Sequence, residues 1–207
     1  MGEKGEADVL LCHAPASERK LVENGTVIDY QLVMHNDFVI TGPPEDPAEI
    51  KGQASVAAFK SIAEKGSPFI SRGDDSGTNK KELAIWKEAN LDPAATGHTW
   101  YQQSGQGMGA TLNMASEKAA YTLTDRATYL AQKRNLKLDI LSEGDKSLLN
   151  IYHVMQVNPE KFSKVNAKGG KAFADFMIAP ETQKIIGEFG KDKFRQPLFF
   201  PDAGKQL

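Results

Sequence analysis

The chain has 207 residues and a mass of 22.6 kDa, enough for one large domain or two small lobes, and 40% of its residues are hydrophobic. Its formal net charge of −2 disfavours general nucleic-acid binding, which usually needs a basic face, and no apolar run is long enough for membrane insertion. Cys12 is the only cysteine, which excludes an intramolecular disulfide and a thiolate metal cluster.

The amino-terminal part predicts strands that alternate with helices. Residues 7–12 form an apolar run of strand type, and residues 15–24 predict a helix with Pro first and Gly after its end. Residues 30–41 predict extended chain, and residues 55–65 predict a second helix. His13 follows the first strand at its carboxyl end, where open α/β sheets bind ligands. It is therefore a candidate ligand contact, with a structural turn histidine as the alternative.

A turn of small and polar residues at 71–78 carries the strongest functional signal. It follows a strand that ends near residue 70 and precedes a helix predicted over residues 80–88. The first N–H groups of a helix have no intrahelical partner, and the helix dipole there favours negative charge. Three hydroxyls, a guanidinium and a glycine add further donors and room, so we predict an oxyanion cradle. The predicted contacts are Ser71, Arg72, Ser76, Gly77 and Thr78.

The alternative is a purely structural role for this turn, as a helix cap. Ser76 or Thr78 could simply cap the helix, and the Gly-Asp-Asp sequence before them is ordinary turn chemistry. The combination of arginine, three hydroxyls and glycine favours the cradle, because a cap needs only one of them. Along the helix, Leu83, Trp86 and Lys87 fall on one face.

The second half repeats the alternation of strands and helices. A second glycine-rich turn at 104–109 opens a helix, so its backbone donors are also exposed, although this pattern alone is weak. The alternation favours a mostly parallel sheet with helices on its faces. Strands are predicted at 119–124, 138–141 and 148–157, and helices at 110–118, 125–134, 165–179 and 180–189.

The signals of catalysis are weak. The four histidines are scattered, no pair has metal-ligand spacing, and neither a nucleophile elbow nor a P-loop is present. Asp74 and Asp75 could hold Mg²⁺ for phosphoryl transfer, but no further acidic pair complements them. A binding role is therefore favoured over an enzyme.

Several segments of the chain together form a recognisable signature. Its main part is SRGDDSGT at residues 71–78, followed by KKELAIW. The other segments are ADVLL at 7–11 leading to HAP at 13–15, NDFVI at 36–40, GQGMGATL at 105–112, YTLTDR at 121–126 and GEFGK at 187–191. Together they resemble the periplasmic tungstate-binding proteins of ABC importers, and the resemblance extends from about residue 5 to residue 202.

The resemblance implies an α/β fold of the type II periplasmic-binding-protein kind. It has two lobes of mixed, mostly parallel sheets flanked by helices, with the ligand in a cleft between them. Lobe I would comprise residues 1–38 and 145–207, and lobe II residues 39–144. The chain would cross between the lobes at residues 36–40 and 150–157.

The same resemblance implies function and site. The protein would be the substrate-binding component of an ABC importer, periplasmic or otherwise extracytoplasmic, and would bind tungstate or molybdate without catalysis. Its partners would be the oxyanion and the transporter's membrane permease, with no cofactor, cation ligands, nucleic acid or membrane insertion. The contacts carried over are Ser71, Arg72, Ser76 and Thr78, and more weakly the backbone N–H groups of Gly107 and Met108 and the Thr122 hydroxyl.

One departure concerns the amino terminus. Members of this family begin earlier, with a signal peptide, a first strand and a Thr/Ser-rich turn that supplies ligand contacts from lobe I. The present sequence begins with the polar stretch MGEKGE and shows no signal peptide. Our hypothesis is that the chain lacks one central strand of lobe I and half of the binding site.

The nearest competing ligand is phosphate, because residues 72–78 are also similar to the turn of periplasmic phosphate-binding proteins. Phosphate keeps a proton that Asp74 could accept, whereas a carboxylate aimed at the unprotonated tungstate dianion is repulsive. The tungstate hypothesis therefore predicts that Asp74 points away, pairs with Arg72 or caps the turn. A sensor that reuses this fold would need a further fused segment.

Overall fold

The computed structural model describes residues 1–95 and 98–206, so residues 96, 97 and 207 of the predicted lobes lie outside the described residues. The chain forms two compact units. Unit 1 comprises Met1–Asn36 and Asn150–Leu207, and unit 2 comprises Asp37–Leu149.

Strands and helices alternate along most of the chain. The strands are β1 (Val9–Cys12), β2 (Val27–Gly42), β3 (Phe69–Ser71), β4 (Tyr101–Gln103), β5 (Thr122–Asp125), β6 (Asp139–Ser142), β7 (Leu149–Val157) and β8 (Phe200–Pro201). The helices are α1 (Pro15–Glu23), α2 (Ser55–Glu64), α3 (Gly77–Glu88), α4 (Met108–Glu117), α5 (Arg126–Gln132), α6 (Ala167–Ile178), α7 (Pro180–Glu188) and α8 (Lys191–Phe194). Short 3₁₀ helices span Gly2–Lys4, Lys133–Asn135 and Lys146–Leu148.

The α/β class with mixed sheets and flanking helices is confirmed. In unit 1, β1 runs antiparallel to β7, and β8 runs antiparallel to β2. In unit 2, β5 and β6 both run antiparallel to the end of β2, whereas β3 and β4 are parallel. Antiparallel pairs are therefore more frequent than the sequence suggested. The physical reason is that alternation of strands and helices in sequence does not decide which strands pair. A helix between two strands allows them to run parallel, but each strand can still pair with a different, antiparallel neighbour.

The boundary of unit 2 lies later than the predicted end of lobe II. Residues 145–149 were assigned to lobe I, but they belong to unit 2 because they contact its helices. The Asp145 carboxylate accepts hydrogen bonds from the N–H and the hydroxyl of Ser55, both at 2.8 Å. Leu148 is fully buried in the aromatic core of this unit.

That aromatic core supports β3 and α3. Trp86 of α3 lies 4.3 Å from Phe59 of α2 and 5.3 Å from Phe69 of β3, measured between ring centroids. All three side chains are essentially buried. On the other side of β3, Ile70 packs with Met108 and Leu112 of α4. The strand and both helices are thereby held rigidly, and so are the turns at their ends.

Candidate functional site

The turn between β3 and α3 folds as its glycine and aspartates allow. Gly73 and Asp75 both have left-handed backbone, with φ of +61° and 57°. The Ser76 hydroxyl oxygen accepts the Asn79 N–H at 3.3 Å and so caps α3, which begins before the predicted residue 80. The capping interpretation is therefore correct for Ser76. It accounts for only one of the donors in this turn.

Arg72 and Asp74 form an ion pair at the mouth of the turn. Arg72 Nη2 lies 2.5 Å from Asp74 Oδ2, and Asp74 Oδ1 accepts the Ser76 N–H at 3.2 Å. Burial would raise the pKa of the Asp74 carboxyl, but hydrogen bonds from Ser76 and Arg72 outweigh it and hold this pKa below its usual range. Asp74 therefore stays ionised. It pairs with Arg72 and braces the turn, as the tungstate hypothesis required.

Several donors of this turn remain unpaired in the described part of the chain. The N–H groups of Gly77 and Thr78 have no acceptor there. Arg72 Nε is buried and likewise has no partner. A buried N–H donor without a partner costs free energy, so it marks a place where an acceptor from outside the chain fits.

The second glycine-rich turn is bonded directly to the first. The N–H of Ser104 donates to the carbonyl of Ser71, and the N–H of Gly105 donates to the carbonyl of Arg72, both at 2.8 Å. Gly107 is the N-cap of α4 and supplies no side-chain acceptor to the N–H groups of Met108 and the residues after it. Because β3 and β4 are parallel, the N-termini of α3 and α4 lie at the same edge of unit 2.

A buried carboxyl group lies beneath the first turn. Glu82 is 2% exposed; its Oε2 accepts the Ser71 hydroxyl at 2.6 Å, and its Oε1 accepts Tyr101 Oη at 2.8 Å and Trp86 Nε1 at 3.1 Å. Burial raises the pKa of the Glu82 carboxyl, although hydrogen bonds from Ser71, Tyr101 and Trp86 act in the opposite direction.

Two of the predicted hydroxyl contacts are already engaged within the protein. The Ser71 hydroxyl donates its proton to Glu82 and accepts from the Gly73 N–H and from Asn79 Nδ2, each at 3.2 Å. The Thr122 hydroxyl donates to the carbonyl of Ile70 at 2.7 Å. Neither hydroxyl has a free proton for a ligand in this arrangement, because a hydroxyl carries only one.

His13 lies in unit 1 and is described separately from these turns. Its Nδ1 is 3.0 Å from Asn150 Oδ1, and its ring is tilted against Tyr152 with centroids 4.9 Å apart. Asn150 Nδ2 in turn donates to the buried Asn36 side chain at 2.8 Å. The histidine is exposed and belongs to a polar network of unit 1.

The acidic pair of the turn is engaged with cations of the protein. Asp74 pairs with Arg72, and the exposed Asp75 lies 3.4 Å from Lys80. Within residues 1–95 and 98–206, no group of three or more His, Cys, Asp or Glu side chains is arranged to hold a metal ion. The same residues include no helix both long and apolar enough to cross a membrane.

Sequence reasoning missed Glu82, Asn79 and Tyr101. The sequence placed Leu83, Trp86 and Lys87 on one face of α3, yet Leu83 is 43% exposed whereas Glu82 is buried with Trp86. The available signal was the spacing, because Glu82 precedes Trp86 by one helical turn and therefore shares its face. A glutamate on such a face is usually assigned to solvent, so the spacing was not decisive.

Comparison with known proteins gives consistent results. Residues 1–181 match the family model described as a PBP superfamily domain. The chain is 47% identical over 208 residues to the tungstate-binding protein TupA of Peptoclostridium acidaminophilum, covering 99% of this chain and 72% of the relative.

Two solved structures are also similar. The tungstate-binding protein TupA from Desulfovibrio alaskensis superposes with a TM-score of 0.89 at 43% identity, covering 98% of this chain and 82% of that one. The structure of the tungstate ABC transporter from Geobacter sulfurreducens gives a TM-score of 0.74 at 46% identity, covering 91% and 79%.

Proposed function

The chain belongs to the PBP superfamily, in the family that includes these tungstate-binding proteins, and on this premise we propose that it binds a tetrahedral oxyanion, tungstate or molybdate. The anion would lie at the paired turns of unit 2. It would accept hydrogen bonds from the N–H groups of Gly77 and Thr78, from the hydroxyls of Ser76 and Thr78 and from the Arg72 guanidinium. Donors at Gly107 and Met108 would complete the set on this unit.

The observation that carries this proposal is the cluster of unsatisfied donors at one edge of unit 2. Two helices begin at that edge after turns that are hydrogen-bonded to each other, and Arg72 Nε is buried with no acceptor among the described residues. Backbone N–H groups and a guanidinium are the donors that anions prefer, because the bonds are charge-assisted. A tetrahedral dianion supplies four acceptor oxygens and so fits a cluster of this kind.

Asp74 supports an unprotonated dianion over phosphate. Its two carboxylate oxygens accept from Arg72 and Ser76, so the group is directed at donors of the protein. Phosphate near neutral pH keeps a proton that needs an acceptor, whereas tungstate and molybdate offer none. A site whose carboxylate is held in this way therefore favours the unprotonated ion.

We further propose that the protein acts as a non-catalytic, extracytoplasmic binding component that delivers its anion to the membrane permease of an ABC importer. This role follows from family membership and from a site made of donors without a nucleophile and base. A Mg²⁺-dependent phosphoryl-transfer role is less well supported, because both aspartates of the turn are paired with cations.

The test is thermal unfolding with tungstate, molybdate, sulfate and phosphate added in turn. An anion at 100 times its dissociation constant adds about 2.7 kcal/mol of stability, which raises the melting temperature of a chain of this length by about 5–10 °C. We expect this shift with tungstate and molybdate and none with phosphate.

The matched variants are Arg72→Ala and Arg134→Ala, since Arg134 is exposed and lies elsewhere in unit 2. The first should lose the tungstate shift and the second should keep it. A shift with phosphate alone would replace the proposed ligand. If no anion produces a shift or a calorimetric signal, the proposed function is wrong for this chain.

A further inference from the structure

The buried Glu82 is one hydroxyl away from the candidate anion site, and the proposed function gives it no role. It lies on α3, and its Oε2 accepts a hydrogen bond from the Ser71 hydroxyl at the base of the turn. We propose that Glu82 takes up a proton from solvent when the site binds a dianion, and that this proton frees the Ser71 hydroxyl to donate to the anion. The inference rests on the proposed function and makes Glu82 a positioning residue of that site.

The hydrogen-bond pattern shows how the exchange works. With Glu82 ionised, Ser71 must donate to it, because Oε2 has no proton of its own. With Oε2 protonated, the carboxyl donates a hydrogen bond to Ser71 Oγ, and the serine O–H is then free to donate to another acceptor. The bonds that Ser71 Oγ accepts from Gly73 and Asn79 are both 3.2 Å, longer than its 2.6 Å bond to Glu82, so one of them yields most easily.

The other carboxyl oxygen is already fixed as an acceptor. Oε1 receives the hydroxyl of Tyr101 and the indole N–H of Trp86, and the indole is a donor only. The proton is therefore expected on Oε2, the oxygen that faces Ser71. No rearrangement of the aromatic core is needed.

Electrostatics favours uptake on binding. Within the described ranges, no lysine, arginine or histidine forms an ion pair with Glu82, and burial already raises the pKa of its carboxyl. A dianion at the adjacent turn adds like charge, which raises this pKa further. Of the side chains that hydrogen-bond the carboxyl, only Tyr101 titrates, and burial with the Glu82 charge raises its pKa well above the neutral range.

The experiment is isothermal titration of the protein with tungstate in buffers of different ionisation enthalpy, from neutral to alkaline pH. Proton uptake appears as a binding heat that changes with the buffer. We expect uptake to approach about one proton per bound anion. In the pH range where Glu82 is ionised in the free protein and protonated in the anion complex, the dissociation constant should rise by about tenfold per pH unit.

Glu82→Gln is the matching variant, because an amide reproduces the protonated pattern: its oxygen accepts from Tyr101 and Trp86, and its NH₂ donates to Ser71. This variant should bind tungstate without proton uptake and with no pH dependence from this group. Glu88→Gln removes the same charge from an exposed position of the same helix and should behave as the unmodified protein.

The outcomes separate the two proposals. Tungstate binding by the unmodified protein with no buffer-dependent heat overturns the role of Glu82 and leaves the proposed function intact. Unchanged proton uptake in Glu82→Gln also overturns it. Absence of binding by any oxyanion overturns both. The measurement on the unmodified protein does not depend on whether the Glu82→Gln variant folds.

Discussion

Ser76 is the residue at which helix capping and anion binding can be separated. Its hydroxyl oxygen caps α3 by accepting the Asn79 N–H at 3.3 Å, which leaves the hydroxyl proton to an acceptor, either Asp74 or a bound anion. Ser76→Ala therefore removes two interactions at once. The lost cap should reduce the free energy of unfolding by about 1 kcal/mol, or about 2–4 °C in melting temperature.

The lost hydroxyl should also weaken anion binding. A hydrogen bond to a charged group contributes about 1.5–3 kcal/mol, so we expect the dissociation constant for tungstate to rise by about 10- to 150-fold. The matched control is Asn166→Ala in unit 1, where Asn166 caps α6 by accepting the Gly169 N–H at 2.9 Å. That variant should show a comparable loss of stability and unchanged tungstate affinity. Equal tungstate affinities in the two variants would show that Ser76 is only a cap.

Two further predictions concern stability. Lys81 is partly buried and donates to the carbonyls of Ser147 and Leu149 at 2.9 and 3.1 Å. Lys81→Met should therefore lower the free energy of unfolding, measured with urea, by about 3 kcal/mol, whereas Lys80→Met at an exposed position should lower it by less than about 1 kcal/mol. Equal losses in the two variants would contradict this. Burial raises the pKa of the Glu18 carboxyl, but hydrogen bonds from His153, Ala14 and Tyr30 outweigh it and hold this pKa below its usual range. The contribution of Glu18 to the free energy of unfolding is therefore present at neutral pH and lost as the carboxyl becomes protonated in acid. Glu18→Gln should make the free energy of unfolding less dependent on pH in acid, and Glu23→Gln at an exposed position should leave this dependence unchanged.

The turn at residues 71–78 could be predicted because its chemistry is local. A glycine and an aspartate adopt left-handed backbone, and a serine precedes a helix, so the sequence itself specifies the cap and the free donors. The second turn was a weaker prediction. Its value depends on the bonds from Ser104 and Gly105 to the first turn, which join residues 32 or more positions apart. Spacing in sequence carries no direct signal for such contacts.

The role of Glu82 could not be predicted for a related reason. Its burial depends on three partners from two other elements and its own helix, and each of them is an ordinary residue in the sequence. The extension of unit 2 to residue 149 is similar, because Asp145 reaches Ser55 across 90 positions. Tertiary hydrogen bonds of carboxyl groups decide both cases, and single-sequence patterns do not report them.

The helices of unit 2 differ in what occupies their N-termini, and this difference supports the proposed function. The carboxylate of Asp125 accepts the Thr128 N–H at 2.8 Å in α5, and that of Asp145 accepts the Ser55 N–H at 2.8 Å in α2. By contrast, α3 begins with a serine hydroxyl and α4 with Gly107. Asp74 lies near the start of α3, but its carboxylate accepts the Ser76 N–H before the helix and pairs with Arg72, so among the described residues no carboxylate accepts an N–H of the first turn of α3 or α4. A carboxylate cap neutralises the positive end of a helix. A protein that only needed stable helices would gain from the same device in all four, whereas a protein that binds a dianion must leave the positive ends at its site free. The two helices without it are the two that follow the parallel strands β3 and β4 and begin at the same edge of unit 2.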